Sequence, residues 1–180
     1  MFVISDSHGG LTQAITKHFQ GASWQRCQVH LMRNLLSFSP VKLRCEVAAH
    51  AKLVLHAHDM VEANRQLDVF IEKFGKSASK AVACLEEGFA DAMAVMALPE
   101  KYRRRLRTTN MQERLNEEIR RREKVIRIFP NDEAALRLMG ALLAEFNETW
   151  AERLYINMDE FKEWLMKRSE SDAVSNVVAM

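Results

Sequence analysis

The sequence predicts an α/β chain that is mostly helical. Two short strand-like runs, Phe2-Val3-Ile4 and Trp24-Gln25-Arg26-Cys27, each precede a helical segment within the first forty residues, which is the alternation of an α/β fold. After Pro40 no convincing strand pattern recurs up to about Met96. Ala, Leu, Met, Glu and Lys dominate there, and these residues favour helix. Glycine and proline are scarce, six and three in 180 residues, which excludes a disordered low-complexity chain or a collagen-like repeat.

Taken in order, Phe2-Val3-Ile4 is a β-branched and aromatic run that stops at the polar turn Ser5-Asp6-Ser7-His8-Gly9-Gly10. Leu11 to Phe19 reads as a helix, with Leu11, Ala14, Ile15 and Phe19 on one face, and Gly21 ends it. The weak strand within Ala22–Val29 leads to a helix over His30–Phe38 that stops before Pro40. Three helices are predicted near 41–57, 59–74 and 77–97, the last two separated by Gly75 and the block closed by Pro99. A longer helix covers roughly 109–123. Val125–Phe129 is short and β-branched, closed by Pro130-Asn131. Asn131 or Asp132 can cap the next helix, which carries Leu136, Met139, Leu142, Leu143 and Phe146 at helical spacing and ends near Trp150. A short helix over Asp159–Lys167 and a frayed tail at 169–180 complete the reading.

Hydrophobic residues make up 48% and charged residues 28%, ordinary values for a globular chain. Three scattered cysteines, Cys27, Cys45 and Cys84, exclude a disulfide scaffold and fit a reducing compartment. No apolar run approaches the ~20 residues of a membrane helix, and Met-Phe-Val-Ile-Ser-Asp has no basic n-region. The expectation is a cytoplasmic protein with no membrane partner. The formal net charge is only +2, but it is unevenly spread. Residues 99–128 carry eleven basic and five acidic side chains, and residues 129–180 carry five and ten. Such a block suggests a local anion-binding surface on a chain that is not globally basic.

Three constellations offer chemistry. Asp6 follows the first strand, where α/β sheets gather functional groups, and a carboxylate there can bind a divalent cation. His8, Gly9 and Gly10 beside it would admit a phosphate backbone. Cys27-Gln28-Val29-His30 is a C-x-x-H pair, half of a zinc site, but Cys45, His50, His56, His58 and Cys84 supply no second pair of the usual kind. The stretch Asn110–Arg122 places Glu113 and Arg120 seven residues, two helical turns, apart on one face, with Asn116 and Glu117 between them. A carboxylate and a guanidinium so placed could hold a metal and a phosphate together.

Ser-Asp-Ser-His-Gly-Gly-Leu (5–11), Trp-Gln-Arg-Cys-Gln-Val-His-Leu-Met-Arg-Asn (24–34), Thr-Asn-Met-Gln-Glu-Arg-Leu-Asn-Glu-Glu-Ile-Arg-Arg-Arg (109–122) and Ile-Phe-Pro-Asn (128–131) together resemble the Mutator-type insertion-sequence transposases of bacteria, in order and spacing, from about residue 3 to about residue 150. The resemblance implies a DDE enzyme with an RNase H-like core. Residues 1–39 would be part of that core, 40–98 an all-helical insertion, 99–150 the return to the core with a basic, glutamate-bearing helix, and 151–180 a C-terminal helix and tail. It implies that Asp6 is the second catalytic aspartate and Glu113 the catalytic glutamate, both ligands of Mg2+. Cys27 and His30 match the family's C-x-x-H signature and, with Asn110 and Asn116, would support the active site. Arg120 matches the basic residue two turns after the glutamate. The partner implied is DNA, terminal inverted repeats and target, contacted by Arg114, Arg120, Arg121, Arg122, Lys124 and His8, with self-association or pairing with a full-length transposase. Two magnesium ions roughly 4 Å apart would activate the attacking oxygen and stabilise the leaving one. The family pattern also has a first catalytic aspartate on an earlier strand and an N-terminal DNA-binding region, for which there is no room before Asp6. The expectation is therefore the C-terminal part of a transposase from a truncated or interrupted frame, inactive alone. A non-enzymatic DNA-binding or regulatory remnant and a decayed inactive fragment are the alternatives.

Overall fold

Two strands and the helices α1 to α8 organise residues 1–151 in the computed structural model, which describes residues 1–151 and 157–167. The chain divides into two units, Met1–Asn116 and Glu117–Met180.

In the first unit, β1 (Phe2–Ser5) and β2 (Ser23–Arg26) pair in parallel, from Phe2↔Ser23 to Ser5↔Arg26. Parallel pairing requires a crossover, and α1 (Gly9–His18) supplies it, with Ile15 buried. After α1 the chain turns at Gly21, whose φ of 75° lies in the left-handed region where glycine carries no Cβ penalty. The polar turn before α1 is shorter than the sequence suggests. Gly9 and Gly10 form the first helical turn, with His8 extended just before it.

Immediately after β2 comes α2 (Gln28–Ser37), two residues earlier than its apolar spacing suggests, so Cys27 sits at the N-cap position. The block that follows is helical throughout. A 3₁₀ turn (Val41–Leu43) leads into α3 (Arg44–Leu55), then α4 (Met60–Phe74), α5 (Ser79–Ala92) and a second 3₁₀ turn (Ala94–Ala97). α3 packs on α4, and α5 on α2, α4 and β2. Leu31 and Leu35 of α2, Val47 and Val54 of α3, Phe70 and Phe74 of α4 and Leu85 of α5 share one core. The four-residue steps Leu31/Leu35 and Phe70/Phe74 place each pair on one helix face. The two phenyl rings lie 4.9 Å apart, tilted by 52°. Gly88 sets the closeness of α5 to this core. A Cβ there would come within 2.8 Å of both Arg26 Nη1 and Leu31 Cδ1.

Asp59 caps α4, its Oδ1 accepting the Glu62 N–H at 2.8 Å. Removing an N-cap carboxylate leaves helix donors without that partner, so Asp59→Ala is expected to cost about 1 kcal/mol. Urea denaturation should show a lowered midpoint with an unchanged slope.

A helix that the apolar spacing does not predict, α6 (Glu100–Leu106), starts directly after Pro99 and buries Tyr102. Its Glu-Lys-Tyr-Arg-Arg-Arg-Leu reads as a charge run because only one turn of apolar contact anchors it. Arg103 reinforces it by donating to the Leu98 and His58 carbonyls, both at 2.7 Å. α7 (Asn110–Ile126) begins in the first unit, where Leu115 is buried.

In the second unit, Val125 and Ile126 finish α7, and Arg127 reverses the chain with a φ of 63°. The β-branched run there forms no strand, and Val125 and Ile128 are exposed. Asn131, not Asp132, accepts the Ala134 N–H at 2.8 Å and opens α8 (Asp132–Ala151). Leu142 is buried, whereas Leu136, Met139 and Leu143 are exposed. Residues 158–167 are helical. The tail read at 169–180 lies outside the described residues. No helix among the described residues is long and apolar enough to cross a membrane.

Candidate functional site: a carboxylate over a Cys-x-x-His pair

The parallel pair ends in register at Ser5 and Arg26. Asp6 and Cys27 therefore leave the sheet side by side at its carboxyl edge. The Cys27 N–H donates to the Ser5 carbonyl at 2.8 Å, extending the pairing by one bond. Asp6 is exposed, and its Oδ1 accepts the Ser7 N–H at 2.7 Å. Cys27 is fully buried, and His30 stands one turn into α2.

A single backbone bond brings a distant segment onto this edge. The Gln28 N–H donates to the Arg107 carbonyl at 3.0 Å, stitching the end of α6 to the start of α2. Thr109 and the first turn of α7 then lie over the C-x-x-H pair. The Thr109 hydroxyl is 3.4 Å from Cys27 Sγ and 3.2 Å from Glu113 Oε1. A hydroxyl has one proton, so it serves these two acceptors in turn. His30 Nε2 lies 3.6 Å from Glu113 Oε1, and Arg33 Nη2 lies 3.5 Å from Oε2. Among the described residues, Cys27, His30 and Glu113 form a group whose ligand atoms all lie within 4.8 Å of one another.

The electrostatics follow from this packing. Burial pushes the Cys27 thiol up, but hydrogen bonds from Thr109 and His30 outweigh it and hold the thiol below its ordinary value. A thiol in such surroundings has more thiolate character. His30 Nδ1 is buried without a hydrogen-bond partner in the protein, so Nε2 is the ring nitrogen turned to the carboxylate. One sulfur, one imidazole nitrogen and one carboxylate oxygen match the donor preferences of a borderline ion such as zinc. A hard ion such as magnesium prefers oxygen, and this edge offers it Glu113 and, from the strand end, Asp6. Glu113 is common to both donor sets.

Of the residues singled out in the sequence, Cys27, His30 and Glu113 converge. Asp6 shares their sheet edge but is not in the three-ligand group. Asn110 opens α7 beside Thr109. The Asn116 carboxamide oxygen accepts from Gln112 Nε2 at 3.3 Å. His8 and Arg114 are exposed. In the second unit, Arg120 and Lys124 are exposed, but Arg121 and Arg122 both bind Glu118, at 2.6 and 2.9 Å. Their hydrogen bonds pull the Glu118 carboxyl down to about 2, so two of the arginines expected on an anion surface already hold a carboxylate. Two contributors were not assigned roles from the sequence. Thr109 stands just before the helix that carries Glu113, a position favoured by threonine. Arg33 lies three residues after His30, one turn along the same face.

The family model described as "Transposase, Mutator family" matches residues 1–153. The chain belongs to that family. It is 43% identical over 164 residues to the transposase for insertion sequence element IS256 in transposon Tn4001 of Staphylococcus aureus, covering 88% of the chain and 41% of that relative. It is 40% identical over 162 residues to the transposase for insertion sequence element ISRM5 of Rhizobium meliloti, covering 89% and 41%. A third relative, the transposase for IS406 of Burkholderia multivorans, is 37% identical over 159 residues, covering 87% and 41%. The chain thus spans about 41% of the length of these relatives.

Proposed function

We propose that this chain is part of the catalytic domain of an insertion-sequence transposase and contributes Asp6 and Glu113 to metal-dependent DNA strand cleavage and transfer. One observation carries the reading. Two parallel strands end together, and a helix entering some eighty residues later delivers Glu113 to the edge from which Asp6 emerges. The β1–α1–β2–α2 succession is consistent with a portion of an RNase H-like core, with residues 40–98 as an insertion between Asp6 and Glu113. Residues 99–150 would return the chain to that core, and 151–180 would follow it. Mg2+ is the ion proposed for the two carboxylates, and DNA ends and target are the proposed partners, which would place the protein in the cytoplasm. Self-association, or pairing with a full-length transposase, is proposed as the way the chain joins a complete site.

A bound divalent ion would activate an attacking oxygen and neutralise a leaving one. The chain's own residues prepare for that. Thr109 holds Glu113 Oε1, while Arg33 draws Oε2, so the carboxylate is oriented before any ligand arrives. Cys27 and His30 support it from below, through Thr109 and directly. Arg33 is mostly exposed and free to exchange its carboxylate for a DNA phosphate.

The test pairs two readouts on Asp6→Asn and Glu113→Gln. Manganese binding followed by electron paramagnetic resonance is expected to weaken at least tenfold in each variant, as is typical of losing a ligand or its support. Mg2+-dependent nicking of inverted-repeat DNA, with a full-length family member supplied, should fall in parallel. Manganese binding indifferent to both substitutions would overturn the assignment.

A further inference from the structure

Beside the Glu113 carboxylate, and separate from it, lies a pocket of about 460 Å³ lined by residues of α2, α3, α6 and the segment leading into α7. Lys52, His56, Arg104 and Arg107 converge on it from two different parts of the chain. Val29 and Met32 supply apolar lining. Among the described residues, no carboxylate is paired with Lys52, Arg104 or Arg107.

That pattern is unusual for a structural cluster. Cations brought together in a fold are ordinarily neutralised by acids, because like charges repel and partial burial raises the cost. Here Arg107 is half-buried, and desolvation and the Arg103 charge both push its guanidinium down. Its Nε is buried with no acceptor in the protein. Partial desolvation, with the Arg107 and Lys52 charges, likewise pushes His56 below its ordinary value. Among the described residues, none of the ion pairs brings an anion to this cluster. The volume falls within the range of small-molecule sites and is far larger than a lone phosphate needs. An apolar wall beside cationic groups matches a nucleotide, whose base is flat and apolar on its faces and whose phosphate is charged.

We infer that this pocket binds one unstacked nucleotide of a DNA single strand, the phosphate on Lys52, Arg104 and Arg107 and the base against Val29 and Met32. The location gives the pocket its use. Thr108 and Asn110 line it and flank Thr109, which touches both Cys27 and Glu113. A strand held there is led toward the Glu113 carboxylate. Lys52 lies in α3 and His56 directly follows it, so the helical block becomes part of the nucleic-acid surface. The inference rests on the DNA-processing reading above for its ligand, but its chemistry needs no metal.

The test is fluorescence anisotropy of the full 180-residue chain with a short labelled single-stranded DNA, in EDTA. Lys52→Gln combined with Arg104→Gln removes two exposed charges. It is expected to weaken binding about tenfold or more at low salt and to lower the salt slope by about 1 to 1.5. Lys76→Gln combined with Lys80→Gln removes the same charge outside the pocket and should weaken binding less than about twofold. Arg104→Glu alone, checked for an unchanged melting curve, gives the same answer should the double variant fold poorly. Single strand should be preferred to duplex, and inorganic phosphate should compete only weakly. Equal losses in the two double variants, preference for duplex, or displacement of DNA by inorganic phosphate at low concentration would each overturn the inference. Asp6→Asn and Glu113→Gln are expected to retain binding in EDTA. A pocket effect without a manganese effect would sink the catalytic reading alone, and the reverse would sink the pocket alone.

Discussion

Phe70→Ala is expected to destabilise the first unit by about 3–5 kcal/mol, the usual range for truncating a buried phenylalanine. Phe70 is 0% exposed, stacks obliquely on Phe74, and sits in the core that joins α2 to the helical block. Truncation removes its transfer free energy and opens a cavity in the core shared by α2, α3, α4 and α5. Native stabilities of this size of unit are about 5–15 kcal/mol, so much of the margin disappears. Circular dichroism at 222 nm should show the melting midpoint falling on the order of 15 °C. A shift of only a few degrees would mean that the helical block is not packed as described. Because α2 carries His30 and Arg33, the same variant should also loosen the site.

Gln25→Leu is expected to cost about 2–4 kcal/mol, although it replaces a polar side chain by an apolar one in a buried strand. Gln25 is 0% exposed. Its Nε2 donates to the Ala92 carbonyl at 2.6 Å and the Arg26 carbonyl at 2.9 Å, and its Oε1 accepts the Val95 N–H at 2.6 Å. It thus stitches β2 to the end of α5 and the turn after it. Leucine would strand the Val95 N–H, and an unsatisfied buried donor costs about 1–3 kcal/mol by itself. Gln28→Leu should cost less. Gln28 Nε2 also donates to the Ala92 carbonyl, at 2.8 Å, but there Gln25 remains as a second donor to the same oxygen. Equilibrium unfolding should rank the two variants in that order. Native-state hydrogen exchange should show the Val95 amide accelerated in Gln25→Leu only. Equal losses would mean that the accepting oxygen, and not the stranded amide, sets the energetics.

Much of the local structure was legible. The Phe2-Val3-Ile4 run, the helix ending near Gly21 and the three helices after Pro40 all appear with ends shifted by a few residues. Their signals are local: β-branched residues and apolar spacing of three and four. α6 is not legible because Tyr102 and Leu106 are its apolar residues, too few to set a helical spacing, and its anchors, buried Tyr102 and the Arg103 bonds to the Leu98 and His58 carbonyls, are tertiary. The β-branched Val125–Phe129 run forms no strand: Val125 and Ile126 finish α7. Among the described residues no strand lies beside it to pair with, and strand propensity alone does not make a strand.

The site divides along the same line. Spacing alone put Cys27 beside His30 and Glu113 two turns from Arg120, and the ordered motifs marked both segments as belonging together in a transposase. What sequence could not reveal is that Cys27, His30 and Glu113 close to within 4.8 Å, that Thr109 bridges them, or that Lys52 and Arg107 face one pocket. Residue types and helical periods are written in neighbouring positions, so the chain by itself determined its elements, its family and its candidate groups. Distances between groups eighty residues apart depend on one strand pairing and one backbone bond from Gln28 to Arg107. Only the tertiary structure decided those, because they are settled by packing across the fold and not by any local preference.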